Sequence, residues 1–432
     1  MEYRNGAQNE QFDEVESIVF SADITNEEAH NFQLLKEKQD IRLVSPEAKA
    51  YQNFLKAYSC SSGYHIYKGD IDTLETSDLV VSFGVWFQDE SLESLCSVRQ
   101  TLERENSKFI YMHPIEDASL QETITQFIKY EVGSEEGVAA LLAYAFLEEK
   151  MLSEELEEAI EDFDIGYLSA ESNVGEEELE SMYEHIDEKT TVSLIIGSDL
   201  YMHPKVEQIA KLIGLLEKYS GINVVCIPPA KNALGIALIC QLEDAVEGRS
   251  LLYDRCNEGT YVDANKCLYM GQVSDRECQN LLDYSDKLPQ DKGFRTLYEN
   301  DIVKQCLYKL ALQERNKAFM LDEIDDLPVY DGALVYTYKV EKSKAQEGQK
   351  RDILHGSKQF ALATKLQDGD LISFEVGGVK FTSVFKIDTH MKGVIALNPV
   401  CDIKLSADLI SSYRFSRLAF EKINQNIGNN DE

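Results

Sequence analysis

Two histidines open the question of chemistry, because each ends the same short phrase: Tyr111-Met112-His113-Pro114 and Tyr201-Met202-His203-Pro204. A repeated histidine is the usual raw material of a metal centre or an acid–base pair, since a neutral imidazole offers a nitrogen lone pair near physiological pH. The second copy follows LIIGSD (194–199), where an apolar run ends in Gly197, Ser198 and Asp199 ahead of a helical pattern. Such a turn can present backbone amides to a phosphate at a helix N-terminus. Gly84, Gly197 and Ser198 are therefore the candidates for cofactor contact.

The elements that must position these residues weaken both readings. SDLVVSFG (77–84), DESLESLCSVRQTLEREN (89–106) and KFIYMHP (108–114) read as strand, helix, strand. TVSLIIGSD (191–199), HPKVEQIAKLIGLLEKYSG (203–221) and INVVCIPP (222–229) read the same way. In the second, Val206, Ile209, Ala210, Ile213 and Leu216 recur at helical spacing, Pro204 takes a first-turn position and Gly221 a C-cap. Two such βαβ units predict parallel sheet with helices on its faces. The tetrapeptide ends the second strand of one unit but starts the crossover helix of the other. His113 and His203 are therefore expected to be a loop and a helix-start residue, and the repeat a coincidence. Neither Gly84 nor Gly197 has the companion glycines of a dinucleotide fingerprint, and Asp199 would repel a phosphate, so a structural βα turn is favoured. No catalytic residue and no metal ligand is predicted.

Composition excludes further classes. With 42 Lys+Arg against 77 Asp+Glu the net charge is −35, a surface that repels nucleic-acid phosphates and anionic lipid headgroups. Residues 148–190 hold seventeen acidic side chains against Lys150 and Lys189, a hydrated connector or, alternatively, a docking face for a basic partner. Leu156, Ile160, Ile165 and Tyr167 are its expected anchors. The start, MEYRNGAQNEQFDEVES, has no basic segment followed by an apolar one, and no apolar run exceeds GVAALLAYAFL (137–147), so neither a signal peptide nor a membrane span is expected. Nine cysteines form no CxxC or CxxxC pair; Cys96 and Cys226 fall on apolar faces as core thiols, and the spacing of Cys256, Cys267 and Cys278 matches no cluster motif.

The organisation expected is a first α/β part over 1–147, the acidic connector over 148–190, a second α/β part over 191–340, a small β-barrel over 353–425 and a tail over 426–432. The linker EKSKAQEGQKRD (341–352) marks the boundary, NDIVKQCLYKLALQER (300–315) reads as helical, and QFALATKL, LISFEV, VKFTSVFKID and MKGVIALNP read as strands of the barrel, with Gly377-Gly378 as a hairpin turn.

Several phrases together resemble a known family. YQNFLKAYS (51–59), SDLVVSFG, YMHPIED (111–117) and above all residues 194–243 are similar to the α/β region of the large iron-sulfur subunit of bacterial respiratory complex I, the NADH-quinone oxidoreductase, in its molybdopterin-oxidoreductase-like part. EGTYVDANK (258–266) resembles the segment that lies near the pterin nucleotide in related molybdoenzymes. DGDLISFEVGGVKF (368–381) and GVIALNPVCD (393–402) resemble their C-terminal β-barrel. The resemblance implies a molybdopterin-oxidoreductase-like α/β fold with a C-terminal small β-barrel. It does not extend to the N-terminal iron-sulfur domains of that large subunit, and complex I members keep the fold without the pterin. The function implied is a cofactor-free, non-catalytic scaffold among the peripheral-arm subunits, cytoplasmic and held at the inner membrane through the complex. The alternatives are a molybdopterin-type oxidoreductase fragment retaining a nucleotide cofactor, and a free acidic interaction module.

Overall fold

A computed structural model describes residues 15–87, 98–104, 107–117, 120–147, 151–186, 190–253, 261–262, 268–270, 317–340, 352–400 and 412–423, apart from positions 23, 25, 65, 231, 246–247, 249 and 325. The chain divides into two compact units, one of Met1–Ile66 with Pro228–Ala318 and one of Tyr67–Ile227 with Phe319–Glu432. Cys96, Cys256, Cys267 and Cys278, the 300–315 helix, the boundary at 341–351, most of EGTYVDANK and the 426–432 tail lie outside the described residues.

In the first unit β1 (Ser17–Phe20) lies between β2 (Arg42–Val44) and β8 (Ser250–Tyr253), followed by β10 (Leu268–Met270) and β9 (Tyr261–Val262). All pairs are parallel except β9 with β10. Helices α1 (Asn26–Gln39) and α2 (Pro46–Ser62) accompany it. Pro46 starts α2 where its missing N–H has no partner to lose, and Gly63 ends it in the left-handed region at φ 72°. Tyr51, Phe54, Leu55 and Tyr58 recur at helical spacing and are fully buried.

The second unit carries the two βαβ patterns in one all-parallel sheet of order β5-β4-β3-β6-β7. Its strands are β3 (Leu79–Phe83), β4 (Lys108–Met112), β5 (Gln126–Ile128), β6 (Val192–Ile196) and β7 (Asn223–Cys226). Every residue of β3 and β6 is buried, as expected of strands covered on both faces. The short α3 (Ile71–Thr76) precedes β3. Between β5 and β6 come α4 (Glu135–Leu147), α5 (Glu154–Glu161), α6 (Ile165–Ser172) and α7 (Glu176–Tyr183). Between residues 154 and 183 the acidic run is thus folded into three helices. Their acids point outward while Ile160, Phe163, Leu168, Val174, Leu179 and Met182 are buried. Of the four expected anchors only Ile160 is fully buried. Helical spacing separates charge from core and lets burial outweigh like-charge repulsion.

Helix α8 (Val206–Ser220) ends at Gly221, φ 79°, as its sequence predicts. Its Ile209, Ile213 and Leu216 are fully buried. At roughly 1.5–3 kcal/mol per large apolar side chain, that stripe holds the helix in place. A short 3-10 helix, Ser198–Met202, separates β6 from α8, so Pro204 lies in the turn ahead of the helix.

After the small helix α9 (Ala233–Ile239) of the first unit, the remaining elements build a seven-stranded sheet of order β16-β11-β15-β12-β14-β13-β17 in the second. These are β11 (Leu334–Lys339), β12 (Asp352–Gly356), β13 (Leu371–Val376), β14 (Val379–Ile387), β15 (Ile395–Val400), β16 (Phe415–Arg417) and β17 (Glu421–Lys422). It is a curled half-barrel whose described strands end at β16 and β17, and the molecule is mixed α/β.

One expected strand is corrected: QFALATKL is largely helix α10 (Lys358–Thr364). Ser357 accepts a hydrogen bond from the Phe360 N–H at 2.9 Å, Lys365 closes the helix at φ 59°, and Phe360 and Ala361 face the core. The N-cap and the helix-forming Ala and Leu outweigh the short apolar run. Alternation along β11 sends Val335 into the core of this sheet with Leu354, Phe360 and Phe385, and sends Leu334, Tyr336 and Tyr338 to the other face against Trp86 and Ile115. Among the described residues no helix is long and apolar enough to cross a membrane.

Candidate functional site

The strand order reverses between β3 and β6, the place where doubly wound sheets leave a crevice for a ligand. Gly84 follows β3 at φ 64° and Gly197 follows β6. The two turns touch. A Cβ on Gly197 would lie 1.8 Å from the Gly84 carbonyl oxygen, and one on Gly84 would lie 2.9 Å from the Leu200 side chain. Three amides of these turns are already donated to carbonyls: Gly84 N–H to Met112 at 3.3 Å, Gly197 N–H to Phe83 at 3.0 Å and Asp199 N–H to Gly84 at 3.4 Å. Gly84, Gly197 and the buried Ser198 lie together in a closely packed backbone seam.

Beside the seam lies a cluster of buried charge. Asp199 Oδ2 lies 3.0 Å from His113 Nε2, and Oδ1 meets the Tyr336 hydroxyl at 2.9 Å and Arg414 Nη1 at 3.1 Å. Arg414 Nη1 also donates to the Tyr336 hydroxyl at 3.2 Å. All four residues are buried. Tyr111 stacks on the His113 ring at 5.6 Å, and Trp86 packs against His113 and Tyr336.

The other histidine makes a second pair. His203 Nε2 faces the Gly133 carbonyl at 3.2 Å and Glu135 Oε2 at 3.3 Å. The Tyr413 hydroxyl donates to Glu135 Oε1 at 2.6 Å and accepts the Gly133 N–H at 2.9 Å. Burial first and the Glu135 carboxylate second push the Tyr413 phenol well above its ordinary value. Tyr130 is raised in the same way by burial, Glu135 and Asp199.

The two copies of the tetrapeptide sit in different elements, at the end of β4 and at the end of the 3-10 helix. They nonetheless close the same small ring. Past the proline, the N–H of the second following residue donates back to the imidazole: Ile115 to His113 Nδ1 at 3.0 Å, Lys205 to His203 Nδ1 at 3.1 Å. The Ile115 carbonyl lies 3.1 Å from the same nitrogen, so His113 Nδ1 is committed to that residue in either tautomer. With Nδ1 turned into the backbone and Nε2 toward a carboxylate, neither ring has a lone pair to offer a substrate or metal. Among the described residues no group of three or more His, Cys, Asp or Glu side chains is placed to hold a metal ion. Cys226 is buried, and burial pushes its thiol well above the ordinary value, the opposite of an activated nucleophile.

Reasoning from sequence identified the turns and both histidines but missed Asp199 as the partner of His113 and Glu135 as that of His203, with Tyr336, Tyr413 and Arg414 around them. The only local trace of the last three is tyrosine and arginine at otherwise apolar positions of LVYTYK (334–339) and SYRFSR (412–417).

No protein-family model and no curated protein matches the chain. Among solved structures the chain is similar to acetylene hydratase from Pelobacter acetylenicus, with a TM-score of 0.53 and 10% identity over 92% of this chain and 82% of that one. At that identity the likeness speaks for a shared fold, and for nothing beyond it.

Proposed function

We propose that this chain is a non-catalytic scaffold subunit in the peripheral arm of a complex I-type NADH-quinone oxidoreductase, built on a molybdopterin-oxidoreductase-like fold and carrying no redox centre. The observation that carries this reading is the seam at the β3/β6 switch point. A nucleotide or pterin nucleotide seated there needs free amides and room above the strand ends. The amides of Gly84, Gly197 and Asp199 are already donated, and the Asp199 carboxylate, Leu200 and Trp86 are buried beside them. That packing leaves those three amides unavailable to a pterin nucleotide and favours the cofactor-free reading, and no chemistry is routed through one. The two imidazoles, each committed at both nitrogens, serve as ties between elements.

Membership in the complex is supported by the resemblance of residues 194–243 to the large iron-sulfur subunit, and the scaffold role by nine cysteines without a cluster-binding spacing. Affinity purification of the tagged chain from its native membranes, in mild detergent, tests both. The expected result is co-elution with other peripheral-arm subunits, and no stoichiometric iron, molybdenum or pterin assigned to this chain. A chain that elutes alone with one equivalent of pterin nucleotide would replace this reading by the oxidoreductase alternative. A chain captured only by basic proteins, and released by salt, would favour the acidic interaction module.

A further inference from the structure

Residues 319–324 and 326–332, in neither helix nor strand, form a strap that meets the start of α4 and one face of α8. Gln208 clamps its backbone twice: the Asp322 N–H donates to Gln208 Oε1 at 3.1 Å, and Gln208 Nε2 donates to the Asp322 carbonyl at 2.8 Å. Lys211 Nζ donates to the Met320 carbonyl at 2.9 Å, and the Leu327 N–H to the Tyr167 hydroxyl at 3.0 Å. Two glycines make the seat. A Cβ on Gly137 would lie 2.7 Å from Leu327, and one on Gly133, at φ 90°, would lie 2.5 Å from the Tyr330 ring and 2.9 Å from the Pro328 carbonyl.

Beside this seat, in the first turn of α4, is Glu136. It is 1% exposed, and neither of its carboxyl oxygens has a hydrogen-bond partner. An ionised carboxylate in that position is costly, because it has left water and gained no donor. The charged groups acting on it come from every side: Lys205 and His203 ahead of α8, and Asp322 on the strap. Glu135, its neighbour in α4, accepts the Tyr413 hydroxyl at Oε1 and has His203 Nε2 3.3 Å from Oε2. Burial dominates and raises the Glu136 pKa, Asp322 adds to the rise, and Lys205 and His203 oppose it.

We propose that the strap is a proton-coupled latch that lies down over protonated Glu136 and loosens when Glu136 gives up its proton to solvent. Ionised Glu136 needs water, which reaches it when the strap lifts, and it repels Asp322 on the strap itself. Because the closed strap holds the proton more tightly than the open one, closure is favoured at low pH and is lost as pH rises through the raised value. Lifting would uncover Leu327 and Tyr330 beside the already exposed Val329.

Amide hydrogen exchange of the full-length chain across a pH series, corrected for intrinsic exchange, reads this directly. Protection of peptides over 319–332 should fall by about tenfold per pH unit between the ordinary carboxylate range and the raised value, then level off. Peptides over β6 should not change. In Glu136→Gln the strap should stay protected at every pH, since the amide is neutral throughout. A flat profile in the unmodified chain, or a slope that survives Glu136→Gln, overturns the proposal. Asp322→Asn, on the exposed strap, tests the same link; because it also removes the 3.8 Å pairing with Lys211, the readout is the change of protection with pH and not its absolute level. It should shrink the total loss of protection, and an unchanged loss would also refute the latch.

Discussion

His113 and His203 each turn Nδ1 into the backbone two residues on and Nε2 toward a buried carboxylate, but the carboxylates differ in what answers them. Asp199 meets a guanidinium, a phenol and an imidazole at 2.9–3.1 Å. Glu135 meets Tyr413 and His203 with no arginine or lysine at hydrogen-bonding distance among the described residues, and its neighbour Glu136 has no hydrogen-bond partner. One local motif therefore yields an ion-paired charge cluster and a softer one. The difference comes from the fold: Arg414, just ahead of β16, reaches the first pair and nothing equivalent among the described residues reaches the second. A buried pair of opposite charges locks its elements together, because separating it strands an ion in low dielectric. A carboxylate met by a phenol and an imidazole, without a guanidinium, lacks that lock.

The largest effect should come from Arg414→Met, which removes the cation and leaves Asp199 buried. We expect a loss of about 3–5 kcal/mol in urea unfolding, the usual penalty for breaking a buried pair from one side. Tyr413→Phe at the softer pair should lose less, about 1–3 kcal/mol, by orphaning Glu135 Oε1 and the Gly133 N–H. If Tyr413→Phe proved as damaging as Arg414→Met, the ranking of the two pairs would be wrong.

Glu136→Gln should stabilise the chain, by an amount that depends on pH. The folded-state pKa is raised, so the stability linked to its proton is fully present below the unfolded value near 4.5 and is lost as pH rises through the raised one. The amide carries no such loss. Its advantage should be absent in acid and grow with pH, by about 1.4 kcal/mol for each unit of the rise. Urea midpoints of both proteins at acid and neutral pH check it; an advantage confined to acid would reverse the assignment.

The smallest effect belongs to charge that was never buried. Glu176, Glu177 and Glu180 point outward from α7, so changing all three to glutamine should leave the urea midpoint unmoved. Glu178 is set apart because it accepts the Gly175 N–H at 3.0 Å as a helix cap. Binding of partner subunits by the triple variant, at low and high salt, then isolates docking from folding. A marked loss of affinity would make this face an interface.

Much of the second unit was legible because its signals are local. The apolar runs of β3 and β6, the spacing of Val206, Ile209, Ile213 and Leu216, and the left-handed stop at Gly221 each act within a few residues through sterics and burial. Where local signals compete, as in QFALATKL, the cap at Ser357 settled what the apolar run left ambiguous.

The sequence by itself determined the paired histidine-proline rings, since the donor N–H lies two residues from each imidazole. It also marked the strand that His113 follows and the helix that begins after His203. What only tertiary structure decided is what those rings face. Asp199 is 86 residues from His113, and Tyr336 is 137 residues from Asp199. Their meeting depends on β3 pairing with both β4 and β6, and on Tyr336 alternating to the face of β11 that packs against Trp86. The closure between Gly84 and Gly197 has the same origin. Spacing along a chain reports which side chains share a face, whereas the burial of a charge beside its counter-charge is set by which strand ends the sheet brings together.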